Sequence, residues 1–87
     1  MRDHTVIFGR ENAARAFAEA VLIRGTDGSH LGHRAKVTED PGDEKPWWVT
    51  VYYLGGPDKK RDDAIMALAE THGGEWLGCG TYVGGER

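Results

Sequence analysis

The 87-residue chain has a single cysteine, only three prolines and no long apolar run. One cysteine excludes an internal disulfide framework, which favours a reducing compartment. No apolar stretch reaches the length that a membrane-spanning helix needs, and no apolar segment follows the first four residues as it would in a secretion signal. We therefore predict a soluble, cytoplasmic protein without a membrane partner. A chain of this length builds one core, so residues 1–87 form one predicted domain, with a disordered tail at 84–87.

A stripe of positive charge is also missing. The formal net charge is -3, and acidic and basic residues are mixed along the chain. The nearest basic cluster, residues 59–61, is followed at once by Asp62 and Asp63. Since phosphate neutralisation supplies most of the affinity of nucleic-acid-binding proteins, this charge pattern disfavours direct binding of nucleic acid.

Metal sites and phosphate-binding loops have no clear signal either. His30 and His33 are three residues apart, but a structural zinc site needs a second pair of ligands, and none is evident. The glycines at 73, 74, 78 and 80 follow a predicted helix and do not open one, which is the reverse of a phosphate-binding loop. We predict no metal and no cofactor.

No catalytic set stands out. Cys79 has no histidine beside it in sequence, so we interpret it as a small buried apolar residue. Asp62 and Asp63 are interpreted as part of the first turn of a helix, and His72 as a packed or capping residue near a helix C-terminus. These readings predict a binding or regulatory module without catalytic activity.

The elements that are present alternate in a recognisable order. Strands are predicted at 5–8, 34–39, 47–54 and 75–83, and helices at 10–24 and 58–72. The order β-α-β-β-α-β predicts a ferredoxin-like α+β sandwich, in which a four-stranded antiparallel sheet carries both helices on one face. In that arrangement the first and third strands lie in the middle of the sheet, and strand 34–39, with its alternating charges, is an edge.

The strand at 47–54 is the strongest in the chain, and both of its faces are apolar, as expected of a central strand. One face carries Trp47, Val49, Val51 and Tyr53, and the other carries Trp48, Thr50, Tyr52 and Leu54. The pattern alone allows either face to meet the helices. If the second face is uncovered, its aromatic residues predict a protein-binding surface. The predicted partner-binding residues are Trp48, Thr50, Tyr52 and Leu54, together with Trp76 and Tyr82.

Residues 73–81 read Gly-Gly-Glu-Trp-Leu-Gly-Cys-Gly-Thr. This stretch resembles the closing motif of the ribonuclease E inhibitor B family (regulator of ribonuclease activity B), which is typically Gly-Gly-x-Tyr-Asp-Gly-Trp-x-Thr. The likeness extends over residues 45–83, and over 5–39 only in the order of elements. Leu77 and Cys79 stand where the family usually has Asp and Trp. The resemblance implies a ferredoxin-like sandwich that binds ribonuclease E and restrains it without catalysis.

Three hypotheses for function follow. The first is a small regulatory protein that binds another protein, such as a ribonuclease, through the open sheet face or through an acidic edge. The second is a module that self-associates sheet to sheet into a homodimer, because an isologous contact needs only one apolar patch. The third is a small-ligand sensor with a pocket between the sheet and the loop at 25–33.

Overall fold

A computed structural model describes residues 2–23, 31–42, 44–54 and 58–81. The elements are β1 (Arg2–Phe8), α1 (Glu11–Leu22), β2 (Arg34–Glu39), β3 (Trp47–Tyr53), α2 (Lys59–Thr71) and β4 (Glu75–Thr81). They form one antiparallel sheet in the order β2-β3-β1-β4, with both helices against one face. The ferredoxin-like sandwich is therefore confirmed, including the central positions of β1 and β3.

The pairing register aligns the four strands into rows across the sheet. In one row Arg34 lies beside Tyr52, which lies beside Asp3, which lies beside Gly80. The next outward row, two residues along each strand, is Lys36, Thr50, Thr5 and Gly78. Because side chains alternate between the two faces of a strand, these rows define which residues share a face.

The core lies between the sheet and the helices. Val49, Val51 and Tyr53 are fully buried there, and Trp47 packs against the same cluster. Helix α1 contributes Ala14, Phe17, Ala18 and Val21, and helix α2 contributes Ile65 and Ala69. The side chains of β3 at odd-numbered positions therefore face the helices, which settles the choice that the pattern left open.

Local sequence signals at the helix ends agree with the structure. Asp58 caps α2 by accepting a hydrogen bond from the amide of Arg61 at 3.2 Å, as expected of an aspartate at this position. On the surface of α1, Arg15 pairs with Glu11 at 2.8 Å. His72 ends α2 and packs edge-on against Phe17, so its interpretation as a packed residue at the helix end is confirmed.

The turn from α2 into β4 requires both of its glycines. Gly73 has a φ of 77°, which side-chain-bearing residues rarely adopt. A Cβ on Gly74 would lie 2.5 Å from the Phe8 ring, so the backbone can approach the core there only without a side chain. The pairing of β4 with β1 shifts its register between Thr5 and Val6, next to Gly78. A glycine inside a strand often marks such a β-bulge.

Strand β1 is longer than predicted. It begins at Arg2 and not at Thr5, although Arg2, Asp3 and His4 have little of the apolar, β-branched character of a strand. These residues extend because β1 is paired on both sides, with β3 and with β4.

Several predictions fall outside the described residues. They are the last residue of the helix predicted at 10–24, the part of the loop at 25–33 that ends with His30, and everything from 82 onward, including Tyr82 and the tail. The small-ligand pocket at loop 25–33 therefore stays a prediction.

Candidate functional site

The face of the sheet that neither helix covers is the first candidate site. We call it the open face and define it by its outward side chains and glycines: Arg34, Lys36 and Thr38 of β2, Trp48, Thr50 and Tyr52 of β3, Asp3, Thr5 and Ile7 of β1, and Glu75, Gly78 and Gly80 of β4. Three of the predicted partner-binding residues, Trp48, Thr50 and Tyr52, lie there side by side along β3. Leu54 follows the end of β3 with 64% of its surface exposed.

Trp76 is not on the open face, and its grouping with that surface was wrong. It pairs with Val6, packs against the core on the helix side and donates its indole N–H to Nδ1 of His4 at 2.9 Å. The bulge between Thr5 and Val6 accounts for the error, because the extra residue Leu77 shifts the alternation along β4. Tyr82 lies outside the described residues.

A shallow depression of about 350 Å³ lies on the open face between β1 and β4. It is lined by Asp3, Thr5, Trp48, Leu77 and the segment 78–80. The depression exists because β4 presents glycine at 78 and 80, where the neighbouring strands present side chains. A Cβ on Gly78 would meet no atom within 4 Å, so this position opens directly onto free space.

The indole N–H of Trp48 is buried and has no hydrogen-bond partner in the part of the chain that the structure describes. An unsatisfied buried donor costs on the order of 1–3 kcal/mol. The exposed neighbour Leu77, at 46% of its surface, adds apolar area at the rim of the depression.

The second candidate is a polar cluster at the helix side of the sheet, centred on Asp62 of α2. Arg2 reaches this carboxylate with both Nε, at 3.1 Å, and Nη2, at 2.8 Å. His4 Nε2 lies 2.7 Å and the Tyr53 hydroxyl 2.8 Å from the same carboxylate oxygen, Oδ1. The Arg61 guanidinium stands 4.7 Å from the centre of the Tyr53 ring. The cluster joins β1 and β3 to α2.

The pKa values of the cluster follow from these contacts. Burial opposes ionisation of Asp62, but hydrogen bonds from Arg2, Tyr53 and His4 outweigh it and lower the pKa to about 2. Burial, reinforced by the hydrogen bond to Asp62, raises the pKa of Tyr53 to about 12. The hydrogen bond to Asp62 raises the pKa of Arg2 as well. Asp62 is thus a carboxylate with a cationic partner and two neutral donors.

Both ring nitrogens of His4 are engaged. The indole N–H of Trp76 is a donor only, so Nδ1 of His4 accepts and carries no proton. The Nε2 atom then donates to Asp62. This fixed tautomer leaves His4 without a free nitrogen that could act as a base on a neighbouring nucleophile.

Cys79 is exposed, and the interpretation of it as a buried apolar residue was wrong. It pairs with His4 across the β1–β4 ladder near the margin of the sandwich, and its sulfur accepts a hydrogen bond from Arg2 Nη2 at 2.9 Å. The fold thus places His4 opposite Cys79, although no histidine is adjacent to Cys79 in the sequence. Because Asp62 and Trp76 hold that histidine, the pair does not form the thiol–base contact of a cysteine nucleophile.

The interpretation of Asp62 as part of the first turn of a helix is confirmed. The contacts of the two neighbours differ, because Asp63 is 59% exposed and pairs with Lys59, whereas the side chain of Asp62 is 14% exposed and meets the sheet. The signal that could have found the cluster was the unusual polarity of Arg2 and His4 next to a strongly apolar strand.

Two further features bear on function. Over the described ranges, no three of the His, Cys, Asp and Glu side chains gather into a group that could hold a metal ion. Neither described helix is long and apolar enough to cross a membrane.

Comparison of the chain with protein-family models, with curated protein sequences and with solved structures found no match.

Proposed function

We propose that this protein is a non-catalytic regulatory module that binds another protein through the open face. The observation that carries the proposal is the outward row of β3, where the half-buried Trp48, Thr50 and Tyr52 lie on the side that neither helix covers, beside a depression rimmed by Leu77. Aromatic residues are enriched in protein interfaces because they bury large areas at low cost in side-chain entropy. The partly exposed Trp48, with its unsatisfied N–H, is the natural anchor of such a contact.

The Asp62 cluster supports a binding role in a different way. Its groups satisfy one another, with the carboxylate neutralised by Arg2 and the imidazole held between Asp62 and Trp76. Such an arrangement fixes β1 and β3 against α2 and keeps the sheet rigid. A rigid sheet loses little conformational entropy when a partner covers it, which favours affinity.

Ribonuclease E is the partner that the resemblance of residues 73–81 implies, and the proposal includes it as the first protein to test. Purified chain is titrated onto immobilised ribonuclease E, and cleavage of a fluorescent RNA is followed in parallel. We expect saturable binding and reduced cleavage. The Trp48→Ser/Tyr52→Ser variant is expected to lose both, because it removes the aromatic area of the open face.

A matched control removes apolar area elsewhere. Leu22 and Ile23 are exposed at the end of α1, at 43% and 68% of their surfaces, and do not belong to the open face. The Leu22→Ser/Ile23→Ser variant should bind and inhibit as the wild type does. Absence of binding by the wild-type chain contradicts the ribonuclease partner. Equal binding by Trp48→Ser/Tyr52→Ser, with its fold verified by circular dichroism, contradicts the open face as the site.

A further inference from the structure

We infer that the open face is complementary to itself, and that a second copy of this chain docks on it about a two-fold axis parallel to the strands. The inference deepens the proposed function, on which it rests, by naming a partner for the same surface. It is carried by the distribution of charge and of side-chain size across the sheet, which the strand register specifies.

Charge is divided between the two sides of the open face. The basic side chains Arg34 and Lys36 both lie on β2 and are exposed. The acidic residues lie on the opposite half, where Glu75 on β4 is exposed and Asp3 on β1 is 6% exposed. Glu75 is partly neutralised by Lys45 at 3.7 Å. The open face is thus basic at one edge and acidic towards the other.

Side-chain size also differs between the β2 edge and the β4 edge of the open face. The β2 half presents the long side chains of Arg34 and Lys36, whereas β4 presents Gly78 and Gly80 in the same two rows. The depression of about 350 Å³ marks the glycine side. One edge of the face therefore projects and the other recedes.

A two-fold axis along the strands, at the midline between β3 and β1, superposes the projecting edge of one copy on the receding edge of the other. Lys36 of each copy then lies over Gly78 of the other, and Arg34 over Gly80. The same operation brings Tyr52 over the acidic Asp3, and Trp48 over Ile7. A two-fold axis perpendicular to the strands would instead set β2 on β2, basic on basic, which costs free energy.

The expected dimer is a weak one. Strands lie about 4.8 Å apart and rise about 3.3 Å per residue, so the open face measures roughly 20 Å by 20 Å, on the order of 400 Å² per copy. A standard stable interface takes about 800 Å² per partner. We therefore expect an equilibrium between monomer and dimer that shifts with dilution.

Sedimentation velocity over a dilution series up to about 1 mM chain tests the inference. The wild type is expected to change from monomer to dimer within this range. Gly78→Lys should raise the dissociation constant at least about tenfold, because it fills the depression and faces Lys36 of the other copy with a like charge. The control is Gly9→Lys, since a Cβ at Gly9 also meets nothing within 4 Å but lies off the open face.

The charge swap Lys36→Glu/Gly78→Lys is the decisive variant. Within one chain these positions are separated by β3 and β1, so the two new charges meet only across the proposed two-fold axis. We expect the swap to restore dimerisation that Gly78→Lys removes, with circular dichroism showing that each variant is folded. A wild-type chain that stays monomeric to about 1 mM overturns the inference. So does a dimer that Gly78→Lys leaves intact or the swap fails to restore.

The result is independent of the ribonuclease experiment. A monomeric chain that binds ribonuclease E through Trp48 and Tyr52 overturns the dimer and leaves the proposed function in place. If the charge swap restores the dimer but the chain does not bind ribonuclease E, the inference is supported, and ribonuclease E is no longer part of the proposed function.

Discussion

Asp62 accepts hydrogen bonds from Arg2 and His4 of β1 and from Tyr53 of β3, while its own backbone belongs to α2. Removing a partner from a buried charged group leaves the remaining groups desolvated and unpaired, which costs more than the contact itself contributes. The residue most sensitive to a polar substitution is therefore expected to be Asp62.

Substituting Asp62→Asn keeps the side-chain shape and removes its charge. We expect the free energy of unfolding to fall by about 3 kcal/mol, because the Arg2 guanidinium loses its counter-charge in a largely buried position. The matched control Asp63→Asn changes an exposed neighbour and should shift stability by less than about 0.5 kcal/mol. Urea unfolding of the three proteins measures the effect. Equal losses in both variants would contradict the assignment of Asp62 as the centre of the cluster.

The same carboxylate predicts a loss of stability in acid. Its folded pKa of about 2 lies below its ordinary value of 3.8, so ionised Asp62 stabilises the fold above about pH 4, and this contribution is lost as the pH falls towards 2. The contribution is about 2 kcal/mol. Urea unfolding at several pH values should show the wild type and Asp62→Asn converging as the pH falls through this window. Parallel profiles for these two proteins would contradict the prediction.

Two tryptophans differ in whether the indole N–H forms a hydrogen bond, so the contribution of that bond to stability can be measured. Trp76 donates its indole N–H to His4, whereas the N–H of Trp48 is buried without a partner among the described residues. Both Trp→Phe changes remove the N–H and a similar volume. We expect Trp76→Phe to lose about 1–2 kcal/mol more than Trp48→Phe. An equal or larger loss for Trp48→Phe would show that its N–H is satisfied in solution.

Sequence patterns predict the positions of some of these side chains correctly and miss others. The period of two on β3 identified the set Trp48, Thr50 and Tyr52 as one face. The prediction of Trp76 as a partner-binding residue did not account for the register shift in β4, which sets Trp76 opposite Val6 on the helix side. Asp62 and Asp63 are chemically identical neighbours, and only their angular positions on α2 decide which one meets the sheet. Contacts over 58 to 60 residues of chain have no local signature.

At the level of elements, the α2–β4 turn carries the tightest steric constraint. A Cβ at Gly74 would lie 2.5 Å from the Phe8 ring and 2.8 Å from Val6, both fully buried. Gly74→Ala is therefore expected to lower the free energy of unfolding by about 2 kcal/mol. Gly9→Ala, with no atom within 4 Å of its Cβ, is the control and should change little. Thermal unfolding compares them, and an unaffected Gly74→Ala would mean that β4 can move away from Phe8.

Element types and order follow from sequence here because the helices and strands have strong periodicities and clear stops. The Asp58 cap and the Gly73 turn coincide with the ends of α2. The start of β1 was missed because pairing on both sides, not propensity, extends the strand to Arg2. The polarity of Arg2 and His4 was the available sequence signal for the polar cluster, but their partner Asp62 could not be predicted, because it depends on how β1, β3 and α2 are set against one another.

The whole molecule is a thin slab of 34 × 32 × 17 Å with a radius of gyration of 12.4 Å. Two copies stacked through the open face, with centres one slab thickness apart, have an expected radius of gyration of roughly 15 Å. Copies joined side by side through strand edges have centres about 32 Å apart and an expected radius of roughly 20 Å. Small-angle X-ray scattering at high concentration distinguishes the two. A value near the larger figure contradicts stacking.

The position of β1 between β3 and β4 has a kinetic consequence. During synthesis, β1 leaves the ribosome well before its neighbours in the sheet, which lie at residues 47–53 and 75–81. The central pairing must therefore close long loops of chain, since Phe8 pairs with Trp47 and Arg2 with Thr81. Non-local pairing of this kind slows folding relative to helical domains of the same size. The sheet is expected to form only once nearly all of the described chain has been made.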